Sequence, residues 1–461
     1  MVQQLSHLRV SYMFTPRKIA DNYRELVSSI GFYPSLLSVI FLLFAVLVTT
    51  TEYTSFVMEL KSLLEVLLVD SEENARTILS TLTGSIISLT VFSFSMVMVV
   101  LNSASASLSP RVLPGLITRK SHQLVLGFYL GSIIFSIVML INIRTMDNGE
   151  IGIPSLGILF SLVFGLISLG FFVFFIHSIS RAIQVDNVLN DLYKNTKNEL
   201  KSIISMQKDN PIDVFPNFDD WSSISSKTEG YFKGVNSDKL CALCQQHDIK
   251  IYVVVKQGFF TVEGYPFLKC NHDLSDNEQL LEDLLNCFIF YIEEYVSDNY
   301  RFGMTQISEI AVKAMSPGIN DPGTAVKAID MLSILLIDRL SIYNVNYSLK
   351  HSDDKQPLLY FHETSFDELL HDNFTPIRNY AKSDGYVMNN VLEAFKNILF
   401  RTHQNSKAAQ SLFTYLDAII DDVNENISNQ YDRDQIINML NAIARISPEM
   451  GDKLVAKFRH Q

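Results

Sequence analysis

The run from Thr77 to Pro110, TILSTLTGSIISLTVFSFSMVMVVLNSASASLSP, contains no Asp, Glu, Lys or Arg in 34 residues. A helix of about 20 apolar residues crosses the roughly 30 Å hydrocarbon layer, so this run is long enough to span a membrane. Three more uncharged runs lie beside it, Leu26 to Thr51, Ser121 to Ile143 and Ile151 to Ser180. Beyond Ala182 no uncharged run exceeds about ten residues, too few to cross as a helix. The chain therefore reads as a mainly α integral membrane protein with four transmembrane helices, followed by a cytosolic α+β domain. The spans are expected over 35-52, 78-101, 122-143 and 153-177 within a membrane domain 35-181, after a cytosolic segment 1-34.

Within the opening run, Thr81, Ser88, Ser95 and Asn102 recur every seven residues, and Ser85 lies one turn from both Thr81 and Ser88. At about 1.5 Å per residue this seam rises roughly 31 Å, close to the depth of the bilayer. Hydroxyls and amides in hydrocarbon turn to other helices or to water, so the seam either glues helices or lines a wet path. Serine also returns its hydroxyl to its own backbone, which weakens inference from hydroxyls alone. The third span carries Gly127 and Gly131, and the fourth carries Gly157, Ser161 and Gly165, all at four-residue intervals. That spacing of small residues lets helix backbones approach closely, so both spans are expected to pack tightly. No carboxylate, Lys or Arg sits at mid-depth, and His122 and His177 fall near span ends, which argues against ion-coupled transport.

Flanking charges set the expected orientation. Arg9, Arg17, Lys18 and Arg24 precede the first span, Arg111, Arg119 and Lys120 lie between the second and third, and Arg181, Lys194 and Lys197 follow the fourth. Both termini are thus expected in the cytoplasm, with the first span an uncleaved anchor. The outer loop 53-76 repeats Phe56, Leu60, Leu63, Leu64 and Leu67 at helical spacing and reads as an amphipathic surface helix, either a packed loop helix or part of an outer vestibule.

Up to Arg181 the chain holds 11 basic and 10 acidic residues, leaving 26 basic and 39 acidic beyond it, a formal net of −13. Such a surface repels phosphate backbones, so nucleic acid is excluded and a small cation or basic protein partner fits better. After a juxtamembrane helix Asp186 to Lys208 and a linker, together 182-226, a small α/β module occupies 227-272. Its β-prone runs are Gly230 to Val235, Ile249 to Lys256, Phe259 to Val262 and Pro266 to Cys270, with turns at Gln257-Gly258 and Glu263-Gly264. A helical cytosolic domain, 273-461, is expected to follow. It opens with one apolar helical stripe at Leu281, Leu284, Leu285, Phe288 and Ile292 and a second at Ile307, Ile310, Ala311 and Ala314.

Asp321 with Pro322 forms a helix start, which leaves a structural cap or a ligand contact as the two readings of that loop. Ser365 with Glu368 forms a capping box for a helix reaching about Lys382. The cysteines Cys241, Cys244, Cys270 and Cys287 read as buried thiols, with a zinc site completed by Cys270 and His272 as the alternative. No Walker loop, GxGxxG, HExxH or GxSxG is present, so no catalytic residue, cofactor or metal is expected and the protein is not expected to be an enzyme.

Several strings resemble the hallmarks of a bacterial family of predicted membrane proteins, the domain of unknown function twenty-two fifty-four. They are Ser103 to Arg111 followed by Gln123 to Gly127, then Phe175 to Val185, Gly230-Tyr231, and Ala314 to Pro322 with Ser316, Pro317, Gly318, Asn320, Asp321 and Pro322. Members often carry an arginine and a threonine ahead of Phe302-Gly303, where this chain has Glu294 and Tyr295, so no role of that arginine carries over. The resemblance implies a bacterial inner-membrane protein and brings no activity. From the residues, the leading expectation is a homo-oligomeric passive channel for ions or small solutes, lined by the second span and gated by the cytosolic domain. The alternative is a membrane-anchored sensor or scaffold whose cytosolic domain binds a ligand or protein partner.

Overall fold

The computed structural model describes residues 31–52, 54–107, 120–145, 151–182, 184–291, 299–348, 357–402 and 406–459. The chain divides after Asn187 into two compact units.

The first unit contains α1 (Phe32–Thr51), α2 (Ser55–Leu63), α3 (Glu72–Ser107), α4 (Lys120–Ile141) and α5 (Ser155–Ala182). Helices α1, α3, α4 and α5 are long and apolar enough to cross a membrane. The order of contacts gives their directions. On α4, Gly127 meets Leu37, Gly131 meets Phe41 and Phe135 stacks on Phe44, so α1 and α4 run parallel. Ala75 and Leu79 of α3 and Ile158 of α5 join Phe135, Met139 and Ile143 in one core, whereas Val100, Phe175 and Ile179 join Val125 and Tyr129 in another. Helices α3 and α5 therefore run opposite to α1 and α4, and the start of α1 and the end of α5 lie on the same face of the unit. A Cβ on Gly127 or Gly131 would come within 2.7 and 2.6 Å of Leu37 and Phe41, and one on Gly165 within 2.7 Å of Leu82. The glycines at four-residue spacing thus join helices of a single chain, and Ser161 beside them is fully buried.

Two features of the connections depart from the sequence reading. The loop expected as one amphipathic helix holds only the nine residues of α2 and a single 3-10 turn, Glu65–Leu67, while Glu72 onward already belongs to α3. Between α4 and α5 a short antiparallel pair forms, β1 (Arg144–Thr145) with β2 (Ile151–Gly152). Two charges clamp the helix ends there. Glu52 is buried, pairs with Lys61 at 2.7 Å and accepts the Leu156 amide at 3.1 Å, placing a negative group on the positive end of α5. Arg76 pairs with Glu72 at 2.9 Å and donates to the Ile143 carbonyl at 3.0 Å, just past the end of α4.

The second unit starts with α6 (Val185–Asp209), of which the residues from Val188 onward belong to it. It continues through β3 (Ser222–Ser225), β4 (Gly230–Val235), α7 (Ser237–His247), β5 (Ile251–Val253), β6 (Phe260–Thr261), β7 (Pro266–Cys270), α8 (Glu278–Leu285) and β8 (Phe288–Tyr291). Gly258 and Gly264 take positive φ of 81° and 83°, the turn geometry that glycine adopts without strain. Then come α9 (Tyr300–Ala314), α10 (Pro322–Arg339), β9 (Val345–Ser348), β10 (Leu359–His362), α11 (Phe366–Ala381), α12 (Gly385–Thr402), α13 (Ser406–Asn426), α14 (Gln430–Ile446) and α15 (Pro448–Arg459).

The strands form one sheet in the order β3-β7-β5-β10-β9 and another in the order β6-β4-β8. The pair β5 and β10 is parallel, with Ile251 opposite Leu359, and the other described pairs are antiparallel. This corrects the division into a module at 227-272 and a helical domain at 273-461. Strand β10 lies inside the larger sheet, between β5 and β9, and β3 comes from the expected linker. The stripe expected to run as one helix from Leu281 to Ile292 also breaks: α8 ends at Leu285 and Phe288-Ile289-Phe290-Tyr291 pairs with β4. Aromatic and β-branched side chains favour the pleated surface once a partner strand is at hand. Residues 292–298, with Ile292, Glu294 and Tyr295, lie outside the described residues.

Candidate functional site

Helix α3 has two faces set by one spacing. Its packing stripe is Ala75, Leu79, Ile86, Ser93, Val100 and Ala104, all buried. Leu79, Ile86, Ser93 and Val100 recur every seven residues, and Thr81, Ser88, Ser95 and Asn102 each follow two residues later. Two residues turn a helix through roughly 200°, so the polar seam stands opposite the packing stripe. Thr81, Ser85, Ser88, Ser95 and Asn102 are accordingly all exposed, and a Cβ added to Gly84 among them would meet nothing within 4 Å. Between the polar positions the same face shows Val91, Phe92, Met98 and Val99.

The seam does not glue α3 to the other helices of its own chain. Ser88 donates to the Gly84 carbonyl and Ser95 to the Val91 carbonyl, both at 2.9 Å and both within α3. Depth matters as well. The 36 residues of α3 extend about 54 Å, well beyond the hydrocarbon thickness. If an upright α3 enters the hydrocarbon just after Arg76, about 20 residues reach Met96, and Asn102 stands roughly 9 Å further on at headgroup level. Ser85 and Ser88 then hold the middle of the membrane.

A second set of polar groups lies inside the helix cluster, at positions where the sequence reading expects only packing. Ser93 of α3, Tyr129 and Ser136 of α4 and Ser168 of α5 are fully buried; the Ser93 and Tyr129 hydroxyls face each other, and those of Ser136 and Ser168 close no hydrogen bond among the described residues. By contrast Ser132 and Ser161 donate to the Phe128 and Gly157 carbonyls. The signal for Ser93 is present in the chain, because it continues the Leu79 and Ile86 spacing; hydropathy alone does not say which of two uncharged faces packs. His122 Nε2 lies 2.9 Å from Ser178 Oγ, joining the start of α4 to the end of α5, and His177 is exposed.

In the second unit, the loop from Ser316 to Pro322 joins α9 to α10. Asn320 adopts φ 49° and the Asp321 amide donates back to Ala314 at 2.8 Å, which turns the chain. Both Asp321 oxygens are engaged by Thr324, Oδ1 by its amide at 3.1 Å and Oδ2 by its hydroxyl at 2.6 Å. Those bonds, the hydroxyl's first, hold the Asp321 carboxyl below the usual range. The loop therefore does the work of a helix cap, with Pro322 in the first turn. Pro317, Gly318 and Asn320 stand beside it, all three exposed.

Two polar clusters stabilise the sheet's junction with the helices. Arg339 is buried and donates to the Thr364 carbonyl at 2.6 Å, the Ile342 carbonyl at 2.8 Å and Asn344 Oδ1 at 3.0 Å, while Tyr300 donates to Glu363 at 2.6 Å. Past the ends of the parallel strands, Lys256 pairs with Glu368 at 3.1 Å and Arg301 approaches Asp372 at 3.7 Å. Cys241, Cys244, Cys270 and Cys287 form no disulfide and are fully buried in one core with Ile251, Phe267 and Leu359. Burial first, and then the neighbouring Cys241, Cys270 and Cys287, push the Cys244 thiol up. Among the described residues no three His, Cys, Asp or Glu side chains are arranged to hold a metal.

Compared with known families, residues 27–397 match the predicted membrane protein family DUF2254. The chain belongs to DUF2254. Two uncharacterized mycobacterial proteins, one from Mycobacterium bovis and one from Mycobacterium tuberculosis, are each 22% identical to it over 333 residues, covering 69% of this chain. The matched part spans 63% of the length of those relatives. No solved structure matches the chain. Within the DUF2254 match lie α1 to α5, both sheets and the Ser316 to Pro322 loop, while α13, α14 and α15 fall beyond it.

Proposed function

We propose that this DUF2254 chain is a homo-oligomeric, passive conduit for ions or small solutes in the bacterial inner membrane. Copies turn their α3 polar faces toward a common path, and the second unit, on the cytosolic side with both termini, assembles and gates it. The observation that carries this reading is the position of Thr81, Ser85, Ser88 and Ser95 opposite the stripe by which α3 packs in its own chain. A single copy cannot enclose that face, so the conduit requires several. The absence of an ionisable side chain along Thr77 to Pro110 favours a passive path over a coupled carrier.

The test is flux through the full chain reconstituted in liposomes. Ser88→Leu with Ser95→Leu is expected to abolish permeation while the oligomer, followed by cross-linking, persists. Absence of flux in the unaltered protein under every ligand, voltage and membrane tension applied overturns the proposal.

One observation favours the alternative of a membrane-anchored sensor or scaffold. Ser88 and Ser95 already satisfy their hydroxyls on their own helix, so the face is cheaper to place against lipid or another helix than an unbonded polar seam. In that case Ser88→Ala with Ser95→Ala alters assembly and leaves permeability unchanged.

A further inference from the structure

Helix α2 is short, but its rotation about its own axis is fixed. Val57 is buried and Lys61 reaches back to Glu52, which in turn holds the first turn of α5 through the Leu156 amide. With Val57 and Lys61 turned inward, the outward side includes the exposed Glu59 and Ser62 but is dominated by large apolar side chains: Phe56 is 75% exposed, Leu63 79% and, just after the helix, Val66 99%. Leu67 and, on another side of α2, Met58 are exposed as well. Single exposed apolar residues are ordinary on any surface, whereas Phe56, Leu63, Val66 and Leu67 exposed within 12 residues ask for a cover.

We propose that α2 is a lipid-binding element that rests in the bilayer surface, with Phe56, Leu63, Val66 and Leu67 among the acyl chains and headgroups. The occupant follows from where α2 is tied. Three residues separate it from the end of α1 and four separate Leu67 from the start of α3, and extended chain covers at most about 3.6 Å per residue. The first tether keeps Ser55 within about 14 Å of the end of α1 and the second keeps Leu67 within about 18 Å of the start of α3, both membrane-crossing helices. The Glu52 clip brings it to the end of a third, α5. A helix held at that level with Phe56, Leu63 and Leu67 outward and the acidic Glu59 at the edge of their row has the apolar and polar sides of an interfacial helix. The row includes no Lys or Arg, so the attraction is to the apolar boundary rather than to anionic headgroups. This inference needs the membrane reading of α1, α3 and α5 and stands whether or not α3 lines a path.

Trp221 is the one tryptophan of the chain, which makes the test clean. In a Trp221→Phe background, Phe56→Trp and, separately, Leu63→Trp are reconstituted as full chains in phosphatidylcholine vesicles containing lipids brominated on the acyl chain. Blue-shifted emission quenched by the brominated lipids and insensitive to iodide is the expected result for both positions. Red-shifted emission quenched by iodide places the face in water and overturns the proposal. Lack of quenching by either agent, with Phe56→Cys cross-linking to a second copy, overturns it in favour of a protein contact.

Discussion

At the scale of single residues, the capping signals did most of the local placement. Asp321 with Pro322 and Ser365 with Glu368 each start a helix, and the capping box at Ser365 is reciprocal in the structure. These were legible because a cap is chemistry between residues three apart. Glu368 also carries a pH dependence. Burial works to raise its carboxyl, yet the Ser365 amide and the Lys256 ammonium outweigh it and hold the group down at about 2. A depressed carboxyl stabilises the fold above its unfolded value near 4.5, and the contribution is lost as pH falls from there toward about 2. The site is partly open to solvent, so after screening the stake is about 1 kcal/mol. Glu368→Gln is therefore expected to lower the thermal midpoint at pH 7 and to flatten its decline across that acid window, as circular dichroism of the detergent-solubilised protein would record. An unchanged profile would remove Lys256 and Ser365 from the argument.

At the scale of elements, composition located the membrane helices and left their facing undecided. Both faces of α3 lack charge, so the turn of roughly 200° between Leu79 and Thr81 had no sign until neighbours were known. Strands were legible where turns bounded them, as for β4 to β7 beside Gly258 and Gly264. They were not legible where the partner is remote: β10 pairs with β5 across more than a hundred residues, and Leu284-Leu285-Asn286-Cys287-Phe288 suits a helix as well as a helix end followed by a strand. Gly84 offers a probe of the open face. Nothing lies within 4 Å of where its Cβ would be, so Gly84→Leu is expected to leave the fold of the single chain intact. If copies meet on this face, the same change disturbs their association, seen as a shift in oligomer mass by light scattering in detergent.

At the scale of the whole molecule, the two units rest on different physics. The first buries aromatic rings between glycine-notched helices, including the edge-on pair Phe128 and Phe171 and the stacked pair Phe44 and Phe135. The second gathers residues from two sheets and α7 into one core that holds every cysteine of the chain. A fully buried thiol is out of a reagent's reach, and burial raises the Cys244 and Cys270 thiols besides. All four cysteines are thus expected to resist a maleimide in the folded protein and to react together when the second unit unfolds in denaturant. Labelling of Cys241 or Cys244 under native conditions, read by mass spectrometry, would contradict a closed core.

The buried Glu52 contact also bears on biogenesis. Its two partners are made at very different times: Lys61 follows nine residues later, but the Leu156 amide comes 104 residues after the carboxylate. At the usual pace of translation, about 5–20 residues per second, that is a wait of roughly 5–20 s. During insertion Lys61 is the only one of the two that can shield the charge, so it acts as a temporary host until the nascent α5 arrives to take its share.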